Sequence, residues 1–186
     1  MAQRTWATRP GPGLPRSIGR LGVGAYNGGY YGSIEVANYG DIDATAVGGW
    51  AEASATGVLA TAYDVSIYQA GNISATAEVA SGYGSAHATG VFAAGTYNVS
   101  FESAAGSSVH ASAVGESYAY ATGVFVAGYN YVSVDNGGDI DAFASAYHGR
   151  ATGMAVYAVG DVGVYNSGDI TAEFDGDYGY ATGAAV

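Results

Sequence analysis

Cysteine is missing from all 186 residues, so disulfides and thiolate metal sites are excluded. Lysine is missing as well. The five cations are arginines, and four of them (Arg4, Arg9, Arg16, Arg20) fall within the first twenty residues. Sixteen carboxylates follow, all beyond residue 34, opposed from residue 21 onward only by Arg150, so that region carries a formal charge of about −15. A surface this acidic repels phosphate backbones, which excludes nucleic acid as an expected partner. Such charge also keeps an extended sheet surface soluble. No segment approaches the roughly 20 apolar residues of a membrane helix, so no membrane span is expected. Proline is confined to Pro10, Pro12 and Pro15, and residues 1–23 hold arginines without the apolar stretch of a secretory signal. These residues are expected to form a disordered, basic, proline-rich leader, followed by one domain over residues 24–186.

What is abundant is small, β-branched or aromatic: 31 glycines and 17 tyrosines, with valine, isoleucine and threonine at alternating positions. The triplet Ala-Thr-Gly begins at Ala55, Ala88, Ala121, Ala151 and Ala181, spacings of 33, 33, 30 and 30 residues. A second phrase, Asn-x-Gly-Asp-Ile-x-Ala, keeps step with it at Asn38–Ala44, Asn136–Ala142 and Asn166–Ala172, with looser copies at Gln69–Ala75 and Ala105–Ala111. A period of this length marks stacked units that bury their apolar faces only against one another. Within one unit the apolar residues alternate at a period of two in three short runs, as at Val124–Ala127, Val132–Asp135 and Ile140–Ala144. Glycine and asparagine clusters separate the runs and supply corners. The expected fold is therefore all-β: a single-stranded, right-handed parallel β-helix (β-solenoid) of about five triangular coils of 30–33 residues.

Superposed repeats define columns that should face inward. One is Val58/Ala60, Val91/Ala93, Val124/Val126, Met154/Val156 and Ala184/Val186. The next is Ile34/Val36, Val65/Ile67, Val99/Phe101, Val132/Val134 and Val162/Val164. The third is Ile42/Ala44, Ile73/Ala75, Val109/Ala111, Ile140/Ala142 and Ile170/Ala172. Alanine recurs because three walls converge on a narrow interior. The Ala-Thr-Gly triplet is read as a corner, and its threonines as a hydroxyl column.

Chemistry is sparse in this pattern. Asp41, Asp43, Asp139, Asp141 and Asp169 flank inward isoleucines and should form a solvated acidic face. Asn72 and Ser108 interrupt that face, and the calcium-binding nonapeptide of β-rolls is absent. His87, His110 and His148 occupy non-equivalent places, with no second histidine at ligand spacing. No Gly-x-Ser-x-Gly elbow occurs, and the glycines at Gly22-Val23-Gly24 are not followed by Gly-Lys-Ser/Thr. Acid pairs such as Asp175/Asp177 or Asp139/Asp141 could suggest a glycosidase acting on the outer wall, but a catalytic pair is needed only once and breaks the repeat locally, whereas most acids here obey the repeat. The chain is accordingly expected to be no enzyme, with no cofactor and no bound metal. An ice-binding reading of the threonines would need paired ranks, and only one rank is regular.

Aromatic residues are the remaining candidates for contact with a ligand. Tyr83, Tyr118, Tyr120, Tyr147, Tyr178 and Tyr180 gather just before the Ala-Thr-Gly triplets, and Phe92 and Phe125 lie in an outward apolar column nearby. Such a stripe suits stacking on carbohydrate or contact with a protein, and equally suits packing on itself along the sheet.

Repeats of the type Val-x-Val-x-Asn-x-Gly-Asp-Ile-x-Ala followed by Tyr-Ala-Thr-Gly, as in Val162–Ala172 and Tyr180–Gly183, resemble the passenger β-helix of bacterial autotransporters. The resemblance covers about residues 30–186. It implies a structural or adhesive module, displayed at the cell surface or outer membrane, or secreted, as part of a larger protein. Its partners would be a host or bacterial surface glycan or protein, or another copy joined end to end. The signal peptide and C-terminal barrel of that family are not in this sequence, which ends within a repeat at Val186. The expectation is a fragment of a larger product, or a frame that has lost both ends.

Overall fold

A computed structural model describes residues 18–186. All regular structure among them is β-strand. In chain order the strands are β1 (Ile18–Tyr26), β2 (Ser33–Asn38), β3 (Ile42–Gly48), β4 (Ala53–Gln69), β5 (Asn72–Val79), β6 (Ser85–Ser103), β7 (Ser108–Val114), β8 (Tyr118–Gly128), β9 (Tyr131–Asn136), β10 (Asp139–Ser145), β11 (His148–Ala158), β12 (Asp161–Asn166), β13 (Ile170–Asp175) and β14 (Tyr178–Ala185).

Each strand pairs in parallel with its equivalent one repeat away, which makes a β-solenoid of about five turns. Three walls result. The first stacks β1, the front of β4, the front of β6, β8, β11 and β14. The second stacks β2, the back of β4, the back of β6, β9 and β12. The third stacks β3, β5, β7, β10 and β13. The ladders pair the residues of the repeat columns directly: Ile34, Val65, Val99, Val132 and Val162 lie in one row, and Ile42, Ile73, Val109, Ile140 and Ile170 in another. In-register stacking of this kind buries the aliphatic pairs of the inner coils at once. The end coils, with one neighbour each, leave Ile34 and Val36 half-buried and Val162, Val164, Ala184 and Val186, expected to face inward, exposed. A slip of one residue would turn the whole set to solvent.

Three features depart from the sequence reading. The first is where the solenoid begins. The sequence places residues 18–23 in the leader, yet Ile18 to Tyr26 form β1, with Ile18 beside Ala53 and Val23 beside Val58. Gly22 occupies the place of Gly57 in this first strand, so Gly22-Val23-Gly24 belongs to a repeat that has lost its Ala-Thr wording. The remainder of the leader assignment, residues 1–17, lies outside the described residues.

The second departure is the Ala-Thr-Gly triplet, which sits within a wall and not at a corner. Gly57 and Val58 are both buried, so the in-out alternation changes parity there and the strand bends. Only glycine fits the bend. A Cβ on Gly123 would lie 2.5 Å from both Ile140 Cγ2 and the Gly153 carbonyl oxygen. The same encounter recurs at Gly22, Gly57, Gly90 and Gly153, each time with the aliphatic side chain of the third wall and the glycine carbonyl of the next coil.

The third concerns alanine. The bend divides the interior into two compartments. One holds the Val, Ile, Met and Phe columns. The other is a thin arm lined almost wholly by alanine, between the front of the first wall (Ala53, Ala55, Ala86, Ala88, Ala119, Ala121) and the back of the third (Ala44, Ala46, Ala75, Ala77, Ala111, Ala113). In the last coil Phe174 takes the alanine place next to Ala144, and Gly149 and Gly179 stand where the facing column has Ala119. A Cβ on Gly149 would come within 2.8 Å of the Phe174 ring, so volume is exchanged across the arm and the spacing is kept.

A polar row closes the corner between the second and third walls: Asn38, Gln69, Ser103, Asn136 and Asn166, of which the middle three are buried. Asn38 Nδ2 donates to Gln69 Oε1 at 2.9 Å, and Asn136 Nδ2 donates to Asn166 Oδ1 at 2.7 Å and to the Gly138 carbonyl at 2.9 Å. The row breaks at Ser103, whose hydroxyl pairs with Ser107 (2.9 Å). Asn136 Oδ1 is thereby left buried with no partner among the described residues.

Candidate functional site

The front half of the first wall presents two outward columns side by side. One reads Ser85, Tyr118, His148, Tyr178, and the other Ser54, His87, Tyr120, Arg150, Tyr180. Parallel in-register pairing sets each ring roughly 4.8 Å from the next, which is close to stacking distance. His87 stacks on Tyr120 (centroids 5.0 Å apart, planes 16° apart), and Tyr118 stacks on His148 (5.4 Å, 18°). Tyr147, at the turn into β11, meets His148 and Tyr178 edge-on at 4.7 and 5.0 Å. Its phenol is held above the usual tyrosine range, first by a hydrogen bond with Tyr178, then by burial and by the nearby Asp177 carboxylate.

Arg150 lies in the middle of this face. Its Nε donates to Thr152 Oγ1 at 2.9 Å, its Nη1 donates to Tyr180 Oη at 3.4 Å, and Cζ sits 5.8 Å from the Tyr180 ring centroid. Together the rings and the guanidinium floor a solvent-open depression of about 820 Å³. Tyr118 is 42% exposed and Tyr178 59%, so the rings rest on each other and still present faces and edges to solvent.

Five of the eight expected contact residues therefore come together: Tyr118, Tyr120, Tyr147, Tyr178 and Tyr180. Three do not. Tyr83, 94% exposed, sits in the turn before β6, one residue after Gly82, whose positive φ (91°) and N–H bond to Glu116 fix that turn. Phe92 and Phe125 stack on each other (4.9 Å, 8°) beyond the glycine bend, where Phe125 also meets Tyr157 at 5.6 Å. Sequence reasoning did not include His87, His148 and Arg150 in the face. The signal was available: His87 and Arg150 each immediately precede an Ala-Thr-Gly triplet, the place that Tyr120 and Tyr180 hold in their own repeats.

The acidic columns of the third wall are tied into hydrogen-bonded chains. Asn72 Nδ2 donates to Asp41 Oδ1 (2.9 Å), Ser108 Oγ to Asn72 Oδ1 (3.0 Å), and Thr171 Oγ1 to Asp141. Among the described residues no three His, Asp or Glu side chains gather as a metal-ligand set, and no helix is long and apolar enough to cross a membrane. The arrangement on the first wall can stack on planar or apolar rings and hydrogen-bond through phenols, imidazoles and a guanidinium. No known protein family, characterised protein or solved structure matches this chain.

Proposed function

We propose that this chain is a non-enzymatic β-solenoid module, the structural and adhesive part of a surface-displayed or secreted protein of the autotransporter type. Its contact surface in this reading is the aromatic front of the first wall. One observation carries it. Tyrosines whose hydrophobic bodies could have been covered by larger neighbours instead lie in two outward columns, interleaved with His87, His148 and Arg150, along an open depression where both ring and hydroxyl remain reachable. Self-packing accounts for the stacking; it does not account for the gathering of imidazoles, phenols and Arg150 on the same few coils. Aromatic bodies with polar tips suit glycans, whose rings carry apolar faces and hydroxyl edges, and glycan contact is the reading these residues favour within the adhesive class.

The test is a glycan array probed with the purified chain and with Tyr118→Ala and Tyr178→Ala. Retention of a saccharide class by the parent chain, reduced about tenfold or more in both variants, is the expected result. An array on which the parent chain retains nothing would defeat glycan contact and leave the module purely structural.

A further inference from the structure

Charge is distributed over the three walls very unevenly. None of the sixteen carboxylates lies on a strand of the first wall: β1, Ala53–Ala62 of β4, Ser85–Gly95 of β6, β8, β11 and β14 hold neither aspartate nor glutamate. The second wall carries Glu35, Asp64, Glu102, Asp135 and Asp161, and the third carries Asp43, Glu78, Asp139, Asp141, Glu173 and Asp175. The acids nearest in sequence to the aromatic face, Glu116 and Asp177, stand at the turns into β8 and β14, outside the strands. Solubility alone does not demand this separation, because outward positions of all three walls are open to solvent and equally able to hold a carboxylate. The acid-free wall carries two cations: Arg20 on β1 at one end, and Arg150 on β11, the last strand but one, within the aromatic face. Of the five N–H donors of Arg150, two are used among the described residues, and both go to neutral hydroxyls, those of Thr152 and Tyr180. A guanidinium anchored by neutral partners keeps its charge and its fork free for an anion.

We propose that the aromatic face recognises a carboxylate-bearing saccharide, with Arg150 taking the carboxylate and the flanking rings of Tyr118, Tyr120, Tyr178 and Tyr180 taking the sugar planes. This rests on the glycan-contact reading above and adds the charge of the ligand to it. The remaining walls, bearing the carboxylates, repel such a ligand and so direct it to this one.

The test uses a disaccharide bearing a single uronic acid and its methyl ester, which keeps the sugar rings and removes the one charge. Binding of each to the whole chain is measured calorimetrically at low and at moderate salt. The expected outcome is at least tenfold tighter binding of the free acid, weakening as salt rises, with Arg150→Gln abolishing the preference while leaving the residual affinity for the ester. Equal binding of acid and ester to the parent chain overturns the charge assignment and leaves glycan contact standing. Failure of both to bind, together with an empty array, overturns both. Self-association of the chain through its acidic walls, seen as Arg150-dependent dimers in sedimentation without saccharide binding, would assign the face to a second copy and defeat the proposal.

Discussion

At single positions the fold depends on contacts that admit no side chain or only one kind. Gly123 is placed so that a methyl group would meet both a branched side chain, Ile140, and a backbone oxygen, that of Gly153. The side chain can shift; the carbonyl belongs to a hydrogen-bonded ladder and cannot. Gly123→Ala is expected to destabilise the solenoid by about 1–3 kcal/mol, and trimming Ile140 to valine in the same chain should recover nothing, because valine keeps the γ-carbon that the new methyl meets, as Val109 does opposite Gly90. Urea unfolding of the two variants decides this, and a Gly123→Ala chain as stable as the parent would show that the bend can open. Asn136 is the polar counterpart. Its amide donates twice inside the corner, and a carboxylate there could donate neither bond while carrying a buried charge. Asn136→Asp is expected to cost about 3 kcal/mol or more at neutral pH and to recover partly as acidification neutralises the new carboxyl, which a pH series of thermal melts would follow.

At the scale of strands, side-chain rows run across coils and behave as units. At the bend between the first and second walls, Tyr63 stacks on Tyr97 (5.1 Å, 14°) and meets Tyr31 edge-on (5.2 Å). Its phenol is pushed above the ordinary tyrosine value of 10.0, first by burial and then by Tyr97, Tyr31 and Asp64. A folded-state pKa above the unfolded one means that this contribution to stability is complete below about pH 10 and is lost as pH rises through the folded value. Ultraviolet titration should therefore show late-ionising phenols that Tyr63→Phe and Tyr147→Phe each diminish, with alkaline unfolding delayed in both variants. The three aliphatic rows were legible in the sequence because their period-two alternation and the repeat spacing fix the register together. The alanine arm was not, because alanine alternation carries no sign of whether it faces a partner or solvent, and the parity change at Gly57 reverses the count midway through a strand. The first strand of the first coil was not legible for a related reason: Arg20-Leu21-Gly22 keeps the glycine of the triplet and neither of its other residues. The aromatic face was half legible. Tyrosines announced themselves by number, while His87 and Arg150 are single members of a column whose composition changes at every coil.

For the whole molecule, each coil touches only the coil before and the coil after it, so stability is a sum over neighbours and no single coil is indispensable. The second coil offers a clean cut. Ala55 pairs with Ala88 and Thr56 with Thr89, so removing residues 56–88 joins Ala55 to Thr89 in an unbroken first-wall strand. The shortened chain then stacks Ile34 and Val36 on Val99 and Phe101 and Ile42 on Val109, keeping aliphatic pairs in every wall. Tyr118, Tyr120, His148, Arg150, Tyr178 and Tyr180 are untouched, and Ser54 takes the place of His87. This chain is expected to fold with the same β-rich circular dichroism and a urea m-value lower by roughly one fifth, in proportion to the surface one coil buries. The binding preference for a free acid over its ester should also persist, since Arg150 and its ring neighbours keep their column. A globally unfolded product would mean that the coils depend on long-range closure, contrary to the ladder-by-ladder pairing on which the solenoid is built.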